Sequence, residues 1–179
     1  TKDGIDATDQ GVLKMVSLSG PSDFVENFSE LNIAPIAISY QYEPCDIKKT
    51  IETVVNMTGG TYQKGKNEDV NSILYGIRMP KGDVNISICE PITREELEEC
   101  GKLPKAEAYK LLKEIIDNRI YKNYKLHDTN YIAHDILYRN KQYAEYYTPA
   151  AVKKFKGRMA YAEARFMEYG LDLKTARKV

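Results

Sequence analysis

The run Ile33-Ala34-Pro35-Ile36-Ala37-Ile38-Ser39-Tyr40 limits the possible folds of this chain more than any other stretch. It is apolar, rich in β-branched residues and too short for a helix. The pattern predicts a strand buried on both faces, as in a parallel sheet. Pro35 has no amide proton to give to a ladder, which suits a strand entrance or an edge. A strand of this kind needs neighbours on both sides. The sequence offers one other, Val84-Asn85-Ile86-Ser87-Ile88, entered through the turn Lys81-Gly82-Asp83 and closed by Glu90-Pro91. Its strict alternation predicts one wetter face. Two strands make a poor sheet, so the pattern implies further strands, either upstream or from a second copy of the chain.

The rest reads as helix. Val12, Leu13, Met15, Val16 and Leu18 form a short apolar run that stops at Gly20-Pro21. Ser22 is placed to cap a helix with Phe24, Val25, Phe28 and Leu31 on one face. Asp46 is placed to cap the next, which carries Ile47, Ile51, Val54 and Val55 and stops at Gly59-Gly60. Ser72–Met79 fits a short helix or a strand equally well. Thr93-Arg94-Glu95-Glu96 is a capping box. Pro104 opens an amphipathic helix bearing Ala108, Leu111, Leu112, Ile115, Ile116 and Ile120. A Tyr-rich helical stretch runs from Thr129 to Tyr147. Thr148-Pro149 then starts a last helix with Val152, Phe155, Met159, Ala162, Phe166 and Tyr169 as its stripe, ending at Gly170.

Composition narrows the function classes. Among 179 residues, 42% are apolar and 29% charged, as in ordinary globular domains. No window approaches 18 consecutive apolar residues, so no spanning helix is expected. Net charge is zero, which gives no general attraction to nucleic acid. Cys45, Cys89 and Cys100 form neither a C-x-x-C pair nor a ligand set with histidine, which argues against a disulfide framework or a zinc site and for a reducing compartment. Residues 149–179 carry eight basic and three acidic side chains. That tail reads either as a solvated helix face or as a contact for an anionic membrane surface. The polar start (Thr1, Lys2, Asp3, Gly4) holds no signal peptide.

Several segments, in order, resemble the glycerol-phosphate and lysophosphatidate acyltransferase family as found in bacterial homologues. The family has four motifs: H-x-x-x-x-D, a Gly/Phe/Arg motif, an E-G-x-R-like motif and a strand with a Val-Pro-Ile-like core. Ile33-Ala34-Pro35-Ile36-Ala37-Ile38 looks like the fourth. Gly11-Val12-Leu13-Lys14-Met15 falls where the family has a helix before that strand. Thr1-Lys2-Asp3-Gly4 looks like the residues just after the third motif in members reading E-G-R-T-K-D-G. Tyr42-Glu43-Pro44-Cys45-Asp46 and Glu68-Asp69-Val70-Asn71-Ser72-Ile73-Leu74 resemble one bacterial subgroup. The resemblance is densest over residues 1–92. From Thr93 onward it thins, with Asn130-Tyr131-Ile132-Ala133-His134-Asp135-Ile136-Leu137 its best piece.

The first three motifs are missing. Neither His127 nor His134 has Asp five residues on; the residues there are Ile132 and Arg139. In the family, the Asp orients the His, which deprotonates a glycerol hydroxyl for attack on the thioester of acyl-CoA or acyl carrier protein. A positioned base of this kind is worth roughly 10²–10⁴ in rate, and a basic residue at the phosphate adds positioning and electrostatic stabilisation. The resemblance therefore implies a fragment of an acyltransferase of phospholipid synthesis, with no catalytic residue and inactive alone. Lys2, Pro35, Tyr40 and Glu43 are its candidate substrate-binding residues, placed on the outer wall of the parent's pocket. It implies no metal and no cofactor beyond the acyl donor, a glycerol-phosphate substrate, and work at the cytoplasmic face of a membrane.

Other constellations have plainer readings beside the chemical one. His127-Asp128 and His134-Asp135 invite a catalytic pairing, but adjacent helical residues point about 100° apart, which favours surface or capping roles. Glu43 and Asp46 follow the carboxyl end of the strand, where open α/β sheets bind ligands; a turn and cap role for Pro44 and Asp46 is as consistent. Ten tyrosines between Tyr109 and Tyr169 suit packing and interfaces better than base stacking, since no basic groove accompanies them. The expected architecture is α/β: a partial mixed or parallel sheet with flanking helices over residues 1–92, and a helical C-terminal extension over residues 93–179. The open strand edge implies a homodimer or other self-association. A second reading is a non-enzymatic module for a protein or membrane surface, built on the Tyr-rich and basic helices.

Overall fold

The computed structural model describes residues 7–168 together with Gly170. Lys2 and Tyr169 therefore lie outside the described residues. In chain order the elements are α1 (Gln10–Val16), α2 (Phe24–Leu31), β1 (Ile36–Tyr40), α3 (Asp46–Met57), α4 (Glu68–Arg78), β2 (Val84–Ile88), α5 (Arg94–Gly101), α6 (Lys105–Asn123), α7 (Asp128–Tyr138) and α8 (Pro149–Glu168), with 3-10 turns at Ser17–Ser19 and Ala144–Tyr146. The fold mixes α and β but is mostly helical, and its sheet has two strands among the described residues.

The sheet is antiparallel, which corrects the expected parallel arrangement. Cys89 N–H donates to the Pro35 carbonyl, and Gln41 N–H to the Asp83 carbonyl, so one strand's numbering falls as the other's rises. The reason is the connection. A parallel partner needs a crossover that returns to the starting end of the first strand. Here the excursion through α3 and α4 leaves and re-enters at the same end, where Tyr42 N–H also donates to the Lys81 carbonyl. Pro35 acts as foreseen for a residue with no donor: its buried position contributes a carbonyl only.

Burial on both faces of β1 is also corrected. Ala37 and Ser39 are buried, while Ile36 and Ile38 are exposed. On β2 the large residues Val84, Ile86 and Ile88 are exposed and the smaller Asn85 and Ser87 half-buried. The small side chains thus face inward, and five aliphatic side chains form the other face. Unbroken apolarity marks strands covered on both sides; within the described residues only one side of this strand is covered.

By its internal contacts the chain forms two units, each drawing on residues from both sides of position 92. The first takes in the described residues up to Ser39 together with Asn85–Lys125. Its core joins Leu13, Phe28, Leu97, Cys100, Ala108, Tyr109, Leu112 and Ile116, from α1, α2, α5 and α6, with Ile92 from the segment before α5. The rings of Phe24, Phe28 and Tyr109 meet mutually, with the Phe24–Tyr109 pair edge-to-face at 5.4 Å. Gly101 lets α5 close on α2, since a Cβ there would lie 2.8 Å from Cγ2 of Val25. The capping box forms as read: Glu96 N–H donates to Thr93 Oγ1, and Thr93 N–H to Glu96 Oε2. The α2 cap is Asp23, which accepts from Glu26 N–H, in place of the expected Ser22. A carboxylate is the stronger acceptor for a free first-turn amide.

The second unit comprises Tyr40–Val84 and the described residues from Leu126. Its buried apolar side chains are Ile51 and Val54 of α3, Ile132 of α7 and Phe166 of α8. The ambiguous stretch before Met79 is the helix α4. Cys45, and not Asp46, occupies the cap position of α3; Asp46 is its first residue and accepts from Ile47 N–H. The Tyr-rich stretch is α-helical only to Tyr138, where Arg139 takes a left-handed conformation, and resumes as a short 3-10 turn at Ala144–Tyr146. No helix among the described residues is long and apolar enough to cross a membrane.

Candidate functional site

Two of the sequence-chosen residues, Tyr40 and Glu43, belong to the second unit, where the chain leaves β1. A cleft of about 250 Å³ opens beside them, walled by Gln41, Tyr42, Glu43 and Asp46 before and within α3, Asn130 on α7, and Arg158 on α8. Local chemistry fixes each wall. Pro44 is buried, and the turn around it is tied by Glu43, whose Oε1 accepts from Cys45 N–H at 3.0 Å and whose Oε2 lies 3.4 Å from Lys49 Nζ. Thr129 Oγ1 donates to the Gln41 carbonyl at 2.7 Å, and Gln41 Nε2 donates to Asp128 Oδ1 at 2.8 Å. The end of the strand is thereby stitched to the start of α7.

Arg158 organises the cleft. Its Nε donates to Asp46 Oδ2 at 2.9 Å and its Nη2 to the Glu43 carbonyl at 3.1 Å. Its guanidinium also lies 5.2 Å from the Tyr42 ring centroid, with Lys154 Nζ at 5.1 Å from the same ring. Two cations beside one phenol ring form a cation–π arrangement. Burial raises the Tyr42 phenol above its ordinary range and the Asp128 carboxylate adds to this, while Arg158 works against both. The phenol therefore stays protonated at neutral pH and serves as a hydrogen-bond donor or acceptor. What the cleft wall offers a ligand is the Arg158 guanidinium and the Tyr42 phenol. Its carboxylates are committed to Arg158, Lys49 and backbone amides.

Arg158 and Lys154 were invisible to sequence reasoning. Arg158 meets Asp46 across a separation of 112 residues, and no motif links them. Of the other sequence-chosen residues, Pro35 lies in the first unit at the entrance of β1, buried, and Lys2 is outside the described residues. Tyr40 is half-buried, with Lys81 Nζ 5.8 Å from its ring centroid.

The second histidine–aspartate pair is nearer than helical geometry alone suggested. His134 Nδ1 lies 3.3 Å from Asp135 Oδ1, because the Asp135 side chain turns toward the chain beyond α7. There it accepts from Tyr143 N–H at 3.1 Å and from the Tyr147 hydroxyl at 2.7 Å. Burial alone would raise this carboxyl; the hydrogen bonds from Tyr147, Tyr143 and His134 outweigh it and hold the group below the ordinary carboxylate range. The pair is thus a helix-end clamp, with the rings of Tyr131 and Tyr146 stacked at 4.5 Å nearby. Among the described residues no group of three or more His, Cys, Asp or Glu side chains is arranged to hold a metal ion. No family model, no curated protein and no solved structure matches this chain.

Proposed function

We propose that this chain is part of a glycerolipid O-acyltransferase, carrying the strand that follows the third family motif and part of the outer wall of the substrate pocket. The parent moves an acyl chain from acyl-CoA or acyl carrier protein to glycerol 3-phosphate or lysophosphatidate, and this part by itself is inactive. One observation carries the reading beyond the resemblance of its segments. The sheet has only two strands among the described residues, and one face presents Ile36, Ile38, Val84, Ile86 and Ile88 to solvent. Aliphatic side chains in register across a strand pair are what a sheet buries. This face and the free edges suit a sheet that continues in the rest of a larger α/β domain.

Two further features support the reading. Pro35 is buried at the strand entrance, where the family's fourth motif has its proline. The cleft beside Tyr42 carries the Arg158 guanidinium, held by Asp46 and the Glu43 carbonyl, on the wall next to the candidate residue Glu43. The test uses two proteins. The purified chain is assayed with acyl-CoA and glycerol 3-phosphate, and the coding sequence upstream of Thr1 is read and the longer product assayed in the same way. Expected are no turnover by the chain above a no-enzyme control, an upstream H-x-x-x-x-D and E-G-R-like triplet, and turnover by the longer product. Turnover by the chain alone, or upstream codons lacking both motifs, would overturn the proposal.

A further inference from the structure

The first unit holds a larger cleft, of about 920 Å³, between α1, α2 and the start of α6. Three independent features meet on its walls. The first is the N-terminus of α6, a 19-residue helix whose cap residue, Pro104, makes no side-chain hydrogen bond to the first turn. The first backbone bond of the helix is from Ala108 N–H to the Pro104 carbonyl. The N–H groups of Lys105, Ala106 and Glu107 therefore donate to no protein acceptor among the described residues, and they carry the positive end of the helix dipole. Lys105 and Ala106 line the cleft.

The second feature is charge. Lys14 and Lys105 both line the cleft, and neither forms an ion pair among the described residues. Lys14 Nζ lies 5.7 Å from the ring centroid of Tyr109, one helical turn beyond Lys105. Against these two cations stands a single carboxylate, Asp23, which caps α2 by accepting from Glu26 N–H at 3.0 Å.

The third feature is Asn27, which is 4% exposed and sits on the wall. Its Nδ2 donates at 2.8 Å to both the Ser17 and Pro21 carbonyls. That fixes the amide orientation, because a flipped amide would set oxygen against two carbonyl oxygens. Oδ1, turned away from them, is buried and has no hydrogen-bond partner. Gly20 permits this packing, since a Cβ there would lie 2.5 Å from Nδ2. A buried acceptor without a donor costs on the order of 1–3 kcal/mol. A ligand that supplies the donor removes that penalty. Ser17 also shares a 2.8 Å hydrogen bond between its hydroxyl and that of Tyr109, so the acceptor wall and the cationic wall are held together.

We propose that this cleft binds a small phosphate or carboxylate that also carries an ammonium or hydroxyl donor. The anionic end sits on the α6 amides between Lys14 and Lys105, as anions do at helix N-termini, and the donor reaches Asn27 Oδ1. Phe24, Leu18 and Leu103 flank the rest of the ligand. The inference is independent of the acyltransferase reading.

The test is amide-resolved NMR titration of the whole isotope-labelled chain with phosphoethanolamine, which has both groups, and with ethyl phosphate, which lacks the donor. Expected are saturable shifts of the Lys105, Ala106 and Glu107 amides with phosphoethanolamine, and about tenfold weaker binding of ethyl phosphate, the worth of one hydrogen bond to a buried acceptor. The double variant Lys14→Gln/Lys105→Gln changes two exposed side chains and is expected to lose the shifts while keeping the spectrum of a folded chain. Three results would each overturn the proposal: no saturable shift at these amides, equal affinity for the two probes, or undiminished binding by the double variant.

Discussion

Replacing Glu96 by Gln tests how the first unit joins its helices. The Glu96 carboxylate performs two tasks at once. Oε2 accepts from Thr93 N–H at 2.9 Å and closes the cap of α5. Both oxygens accept from Arg119 Nη2 on α6, at 2.8 and 2.7 Å. The Arg119 side chain is only 16% exposed and that of Glu96 33%, so the pair is shielded more than a surface ion pair. A Gln retains one oxygen and satisfies one task. Losing hydrogen bonds to a charged group costs about 1.5–3 kcal/mol, and a weakened cap about 0.5–1 kcal/mol. Breaking a fully buried pair would cost about 3–5 kcal/mol, which is a ceiling here because Glu96 is partly wet. The expected loss is therefore about 2–3 kcal/mol. Arg119 Nη1 is already buried without a partner, so the guanidinium has no second acceptor to turn to.

The assay is urea unfolding followed by far-UV circular dichroism, for the wild type, Glu96→Gln, Arg119→Met and the double variant. A coupling energy of at least about 1 kcal/mol between the two sites is expected for groups in direct contact. Acidity gives a second readout. Burial pushes the Glu96 carboxyl up, but the Thr93 amide and Arg119 more than offset this and hold it below its ordinary value. A carboxyl lowered on folding stabilises above its unfolded pKa, about 4.3, and that stability disappears as pH falls through the folded value. The gap between wild type and Glu96→Gln is thus expected to be full at neutral pH and to close in acid below about pH 4. A Glu96→Gln protein within about 0.5 kcal/mol of wild type, or additive single variants, would refute the reasoning.

Two more predictions follow from packing. Leu112 is fully buried at the centre of the first unit's core, so Leu112→Ala is expected to cost about 2–5 kcal/mol; an unchanged urea midpoint would mean that the core does not close around it. Ile38 and Ile86 are exposed on the bare sheet face, and the chain is expected to self-associate there, with Ile38→Lys/Ile86→Lys lowering the mass seen by light scattering. A wild-type chain that stays a monodisperse monomer at high concentration would contradict this.

What local sequence determines, it determined here. The capping box at Thr93 and Glu96, the α6 stripe through Leu112 and Ile116, and the helix start after Thr148 depend on residues within a turn or two of each other, and each is found where periodicity and caps place it. Strand existence was legible for the same reason: short β-branched runs flanked by Pro35 and Pro44, and by Gly82 and Pro91, fit little else. Partnership was not. An apolar strand is compatible with cover on both sides, yet β1 has one antiparallel neighbour and a bare face among the described residues, since direction depends on where the excursion through α3 and α4 re-enters.

The sites divide in the same way. Glu43 and Asp46 could be singled out because they follow a strand's carboxyl end. Arg158 could not, because it reaches Asp46 from 112 residues away and only the packing of α8 brings it there. The same holds for Asn27, Lys14 and Lys105. Each is an ordinary polar residue in the sequence, and becomes informative only when tertiary packing buries one acceptor without a donor and leaves two cations beside an uncapped helix end.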